Sequence, residues 1–198
     1  MKKILTTIII LSASLQAHAS ITLAPMDGNH LLSQSATKTQ HLGIDQIKIN
    51  KGQSFDIIES DKYIGTLIPA EGYYNQYNPL CFIGWSIDKR EISNIIQSIG
   101  QGDFENSICL SLDAVGKIEV KDKTYIGLVY TVGLRDRRAK NYFLLELDKE
   151  KRTIVDKSTL VDSLQNNGEK KALRCSENIF LKIHYVNLNS SVLNKNLI

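Results

Sequence analysis

The sequence predicts an α+β domain, mainly an antiparallel β-sheet. Three features carry that expectation. Apolar residues over 43–155 come in short runs separated by polar turns. The connections are too short for the crossover that a parallel pair needs, so neighbouring strands should run antiparallel. One stretch, 88–100, departs from that rhythm with isoleucines at helical spacing, which supplies a helix to pack on the sheet.

In chain order, residues 1–19 have the anatomy of an export signal peptide. Lys2-Lys3 precede a mostly apolar run over 4–15, and Ala17-His18-Ala19 puts small residues where a signal peptidase reads them. Cleavage is expected before Ser20, which places the mature protein in the periplasm or makes it secreted. The run falls short of the ~20 residues of a spanning helix, and no later segment is more apolar, so no membrane span is expected. Residues 20–42 are rich in Ser, Thr, Gln, His and Asn and read as a flexible N-terminal arm, with a short strand at 21–23. A single globular domain is expected over 43–189, followed by a C-terminal tail over 190–198.

Within the domain, strands are expected at 43–50, 55–59 and 63–68, the last two joined by a Ser60-Asp61-Lys62 turn and the third ended by Pro69. A loop over 71–79 leads to a buried strand at 80–87. The helix spans about 89–99. Asp88 and Glu91 form a capping box at its start, Ile92, Ile95, Ile96 and Ile99 make its apolar stripe, and Gly100 stops it. Strands follow at 107–112, 116–120, 125–132, 142–147 and 153–155. A second short helix is expected at about 158–165. A last strand over 179–185 carries Ile179, Leu181, Ile183 and Tyr185 on one face.

Charge narrows the function. The chain has 24 Lys and Arg against 21 Asp and Glu, net +3, and loss of Lys2 and Lys3 with the leader brings this to +1. Such a balance argues against whole-protein attraction to nucleic acid or an anionic membrane. Three cysteines, Cys81, Cys109 and Cys175, allow one disulfide in an oxidising compartment, with three pairings open. Cys81–Cys109 is favoured because both lie in apolar strand-like segments flanking the helix.

No catalytic residue, cofactor or metal is assigned. Gly84-Trp85-Ser86-Ile87-Asp88 sits where a nucleophile elbow would, and Asp113, Asp122 or Asp136 and then His184 follow in the order of the α/β-hydrolases. Asp88 replaces the elbow's second glycine, however, and serves better as a helix cap. His30, His41 and His184 lack metal-ligand spacing. Gly100-Gln101-Gly102 follows a helix instead of opening one, unlike a phosphate loop.

Two surfaces remain. Arg135, Arg137, Arg138 and Lys140 crowd one hairpin loop, where guanidinium forks can grip carboxylates. The plain alternative is a solvated turn. Tyr73, Tyr74 and Tyr77 stand in a loop with Asn75, Gln76 and Asn78, a mixture of rigid rings and adaptable hydrogen bonds suited to protein contact. The plain alternative is rings folded over the sheet edge. The expected function is an exported, non-enzymatic protein-binding module with an acidic protein partner, of the inhibitor or immunity-protein kind, acting in the bacterial envelope. An accessory component of an envelope or secretion assembly is the second expectation, and a small serine hydrolase using Ser86 and His184 is the third.

Overall fold

The computed structural model describes residues 20–33, 36–49, 52–100, 107–120 and 122–161. The expected leader and its cleavage site, Cys175, His184, the 179–185 strand and the tail lie outside these residues. In chain order the elements are β1 (Ile21–Met26), α1 (Asn29–Ser33), α2 (Ala36–His41), β2 (Ile44–Ile49), β3 (Ser54–Glu59), β4 (Lys62–Tyr74), β5 (Asn78–Ser86), β6 (Asn94–Ile99), β7 (Ile108–Val120), β8 (Lys123–Gly133), β9 (Arg138–Asp148) and β10 (Thr153–Asp156). A helical turn at 159–161 is where the second expected helix begins, and its remainder lies outside the described residues.

All strand pairs among the described residues are antiparallel. A six-stranded sheet runs β1-β3-β4-β5-β6, with β2 also on β4, and a four-stranded sheet runs β10-β9-β8-β7. β4 organises the first sheet. Along one edge its first half pairs with β3 and its last residues, from Ala70, pair with β2. Pro69 lies opposite the gap between them, so its missing N–H forfeits no bond on that edge. That is why β4 continues through the proline expected to end it and turns the anticipated 71–79 loop into a hairpin. Pro25 is tolerated for a related reason, because among the described residues β1 is an edge strand that pairs with β3 alone. β1, α1 and α2 account for most of the stretch read as an arm, and Ile21 and Leu31 are both buried.

The sheets stack face to face. Leu67, Ile83 and Trp85 from the first meet Leu128, Tyr130 and Leu145 from the second in the largest core. The other face of the six-stranded sheet is covered as well, with Leu31 of α1 and Ile92 packing on Ile68, Ala70 and Phe82. A strand buried on both faces reads as an unbroken apolar run, and β4 is buried continuously from Ile64 to Ala70.

The expected helix over 89–99 does not form. Asp88 accepts the Arg90 N–H (2.9 Å) in a tight turn, Lys89 takes a φ of 63°, and the Ser93 N–H and hydroxyl both donate to the Trp85 carbonyl (2.7 and 2.8 Å). The chain then enters β6. Its isoleucines carry helical spacing for a different reason. Cys81 faces Ile99 and Phe82 faces Gln97, so Ser98 is bulged. The bulge resets the side-chain alternation and brings Ile96 and Ile99, three apart, onto the inter-sheet core. Ile92 and Ile95 meet on the opposite face. β-branched side chains favour the strand wherever the pattern is ambiguous.

Candidate binding surface

Two hairpin turns carry the residues singled out above. The β4–β5 turn is tight. Asn75 and Gln76 both have positive φ (48° and 67°), and the Tyr77 N–H reaches the Tyr74 carbonyl at 3.3 Å. Positive φ at both central residues is the primed turn that matches strand twist, a conformation that Asn favours. The Asn75 N–H also donates to the Gly43 carbonyl (3.1 Å), which fastens the turn to the start of β2. Tyr77 is 81% exposed and Tyr73 37%, whereas Tyr74 is half-buried against Ile44 and its neighbours and lies over Gly43. The β8–β9 turn is closed by the Leu134 N–H on the Arg137 carbonyl (2.8 Å). Arg135, Arg137 and Arg138 are exposed, and no ion pair engages them among the described residues.

Lys140 is different. Its ammonium meets Asp113 at 2.7 Å and Thr131 at 2.8 Å, so its charge is spent within the protein. Burial alone would raise the Asp113 carboxyl, but hydrogen bonds from Lys140, Thr131 and Ser111 outweigh that and hold it below its ordinary value of 3.8. A carboxyl lowered in the native state stabilises the fold above its unfolded pKa, and the contribution is lost as pH falls through the native value. Asp113→Asn should therefore weaken the protein at neutral pH and flatten its loss of stability below about pH 4, read as denaturation midpoints across an acid series. Parallel acid limbs for the two proteins would contradict this.

The turns belong to one end of the sandwich, and two inter-sheet ties establish it. Cys81, three residues into β5 from the tyrosine turn, is disulfide-bonded to Cys109, with Cα atoms 5.6 Å apart. Cys109 faces Val132, immediately before the arginine turn. Farther along β5, the Trp85 indole N–H donates to the Arg152 carbonyl (2.9 Å), in the turn at the far end of β9. Moving from Cys81 to Trp85 in one sheet thus matches moving from the arginine turn to the β9–β10 turn in the other. The tyrosine and arginine turns must share an end. The opposite end is latched separately, with Lys149 on Glu59 (2.7 Å) and the Arg152 Nε–H on the Ile64 carbonyl (2.8 Å).

Sequence reasoning missed the apolar part of this end. Leu42, beside the tyrosine turn, is 40% exposed, and Ile108 and Leu110 are 40% and 39% exposed over Gly133 at the base of the arginine turn. The signal was present. Once Cys109 points inward to a disulfide, its neighbours on the strand point outward.

The hydrolase constellation is not assembled among the described residues. Ser86 is fully buried, and its hydroxyl accepts the Lys89 N–H (3.1 Å), closing the turn after β5. Asp113 is occupied as above, and Asp122 and Asp136 are exposed. Comparisons with protein-family models, characterised proteins and solved structures find no match. His30 and His41 are exposed, and no group of three or more His, Cys, Asp or Glu side chains among the described residues is placed to hold a metal ion. No helix among them is long and apolar enough to cross a membrane.

Proposed function

We propose that this chain is a non-enzymatic binding module that engages an acidic partner protein with the end of the sandwich bearing Tyr73, Tyr77, Arg135, Arg137 and Arg138. The observation that carries the reading is the convergence of the two turns, held together by Cys81–Cys109. Aromatic and arginine side chains, flanked by Leu42, Ile108 and Leu110, match the composition of protein interfaces. Guanidinium groups with no ion pair among the described residues favour carboxylates. A tight turn fixed at its base lowers the entropy lost on docking. Lys140 leaves the site, and Tyr74 supports it from beneath. An inter-sheet disulfide is compatible with an oxidising compartment, and capping a toxin or hydrolase in the bacterial envelope is the role such a surface would serve. An accessory component docking through residues 20–42 and the C-terminal tail has less support, because β1, α1 and α2 fold much of that arm into the domain, with Ile21 and Leu31 buried.

Photo-crosslinkers at positions 77 and 137, in the cell that makes the protein, test the proposal. Both should trap the same protein, and position 61 in the β3–β4 turn at the other end should trap none. Changing Arg135, Arg137 and Arg138 together to Glu should lower the adduct yield roughly tenfold by slowing association. Adducts from position 61 alone, or an unchanged yield in the triple variant, would refute it.

A further inference from the structure

A cleft of about 980 Å³ runs along β2. Its lining takes in every residue of that strand, together with residues of α1 and α2 (Asn29, Ser33, Thr39 and Gln40) and Gln53, Glu71, Ser111 and Leu112. Side chains of a strand alternate, so a cavity over one face would meet every second residue. A cavity that meets six in succession follows the strand's edge, where backbone N–H and C=O groups project. Among the described residues β2 pairs with β4 alone, which leaves its other edge without a strand partner among them.

One wall is α1 and α2, and another is β7, an edge strand of the other sheet. Its two register shifts, between Cys109 and Ser111 and between Leu112 and Ala114, lie at this point. The Gln53 amide donates to the Leu112 carbonyl (3.0 Å), so a side chain and not a strand spans from the first sheet to that wall. β2 carries a bulge of its own. Gln46 and Ile47 oppose Gly72, with Gln46 at a φ of 52°. A Cβ at Gly72 would lie 2.8 Å from the Ile44 side chain and 3.1 Å from the Asp45 carbonyl, so glycine is what lets the bulged strand sit this close. Bulges blunt indiscriminate edge pairing and also shape strands beside binding sites. Here the bulge lies inside a cleft with charges of both signs. Lys48 and Glu71 face each other in register, yet no ion pair joins them among the described residues.

We propose that this cleft takes an extended peptide segment of the partner protein as an added strand on β2. Backbone groups of the segment would complete that edge, and the side chains on one of its faces would meet Lys48, with Glu71 one strand beyond on the same face. The inference rests on the docking reading, with which the cleft is continuous. Ile44 pairs with Tyr74 and the Gly43 carbonyl holds the tyrosine turn, so a segment leaving the cleft passes Tyr73 and Tyr77.

The test uses the full oxidised chain and a phage-displayed nonapeptide library as the probe. Recovered peptides are remade with N-methyl groups on one or the other set of alternate residues. One set should weaken binding at least tenfold and the other should leave it unchanged, because only alternate amides of an added strand face β2. The same peptides should slow hydrogen exchange of the amides over 44–49. Recovery of no peptide, indifference to N-methylation, or unprotected β2 amides would overturn the proposal. The Arg135, Arg137 and Arg138 to Glu variant keeps the two readings apart, since it should retain peptide binding while losing its crosslinks. Peptide failure with crosslinks intact removes the cleft alone.

Discussion

Trp85→Ala should destabilise the protein by about 3–5 kcal/mol, the range for truncating a large buried aromatic side chain. Trp85 is fully buried in the inter-sheet core, and the added loss is specific to its position. Its indole N–H is the donor to the Arg152 carbonyl, so truncation leaves that bond to the β9–β10 turn unmade. The indole also occupies the space that Gly65 leaves, for a Cβ at residue 65 would overlap the ring. A smaller side chain therefore opens a void between two strands that were built to clasp it. Against a usual total of about 5–15 kcal/mol, that loss is a large fraction of the stability. Urea titration followed by circular dichroism reads it as a fall in midpoint, because the variant has lost the chain's single tryptophan. A shift below about 1 kcal/mol would mean the site collapses around the missing ring.

The second large effect concerns Cys81 and Cys109. Replacing both by alanine should cost about 3–4 kcal/mol in the chain-entropy account of a 28-residue separation. Both residues are buried at the inter-sheet core. Their loss removes the covalent tie nearest the tyrosine and arginine turns, while the latch at Arg152 and Lys149 stays. The functional consequence should therefore exceed the structural one. Crosslinking from position 77 and from position 137 should no longer converge on one partner at undiminished yield, even at temperatures where the variant stays folded. Equal denaturation midpoints for wild type and the double variant would contradict the assigned energy.

Much of the sheet was legible because apolar residues track the two-residue period and turn residues mark its ends. The turn at Ser60 and Asp61, both at positive φ, sits where the sequence places it. Two of the misreadings share one cause, which is that bulges alter the period. Ser98 makes β6 mimic a helix, and the irregularities near Leu110 and Asp113 divide β7 into two apparent strands. Pro69 misleads because its tolerance depends on which neighbour faces it, a property of pairing and not of the residue. The Cys81–Cys109 bond forms between apolar strands as expected, although the helix expected between them does not form. The candidate surface was legible only as two separate loops. Their joining depends on how the sheets stack, and the capture of Lys140 by Asp113 depends on a contact across three strands. Neither is written in sequence spacing.

The claim on which the binding account stands is that the tyrosine and arginine turns share an end. Spin labels introduced as non-cysteine amino acids at positions 77 and 137, and in a second sample at 77 and 150, measure this by pulsed electron resonance with the disulfide intact. Position 150 lies in the β9–β10 turn, beyond the 11 residues of β9, a span of ~35 Å at strand rise. The account predicts that the 77–137 distance is clearly the shorter of the two. A 77–150 distance equal to or shorter than 77–137 would place the turns at opposite ends and leave no common surface.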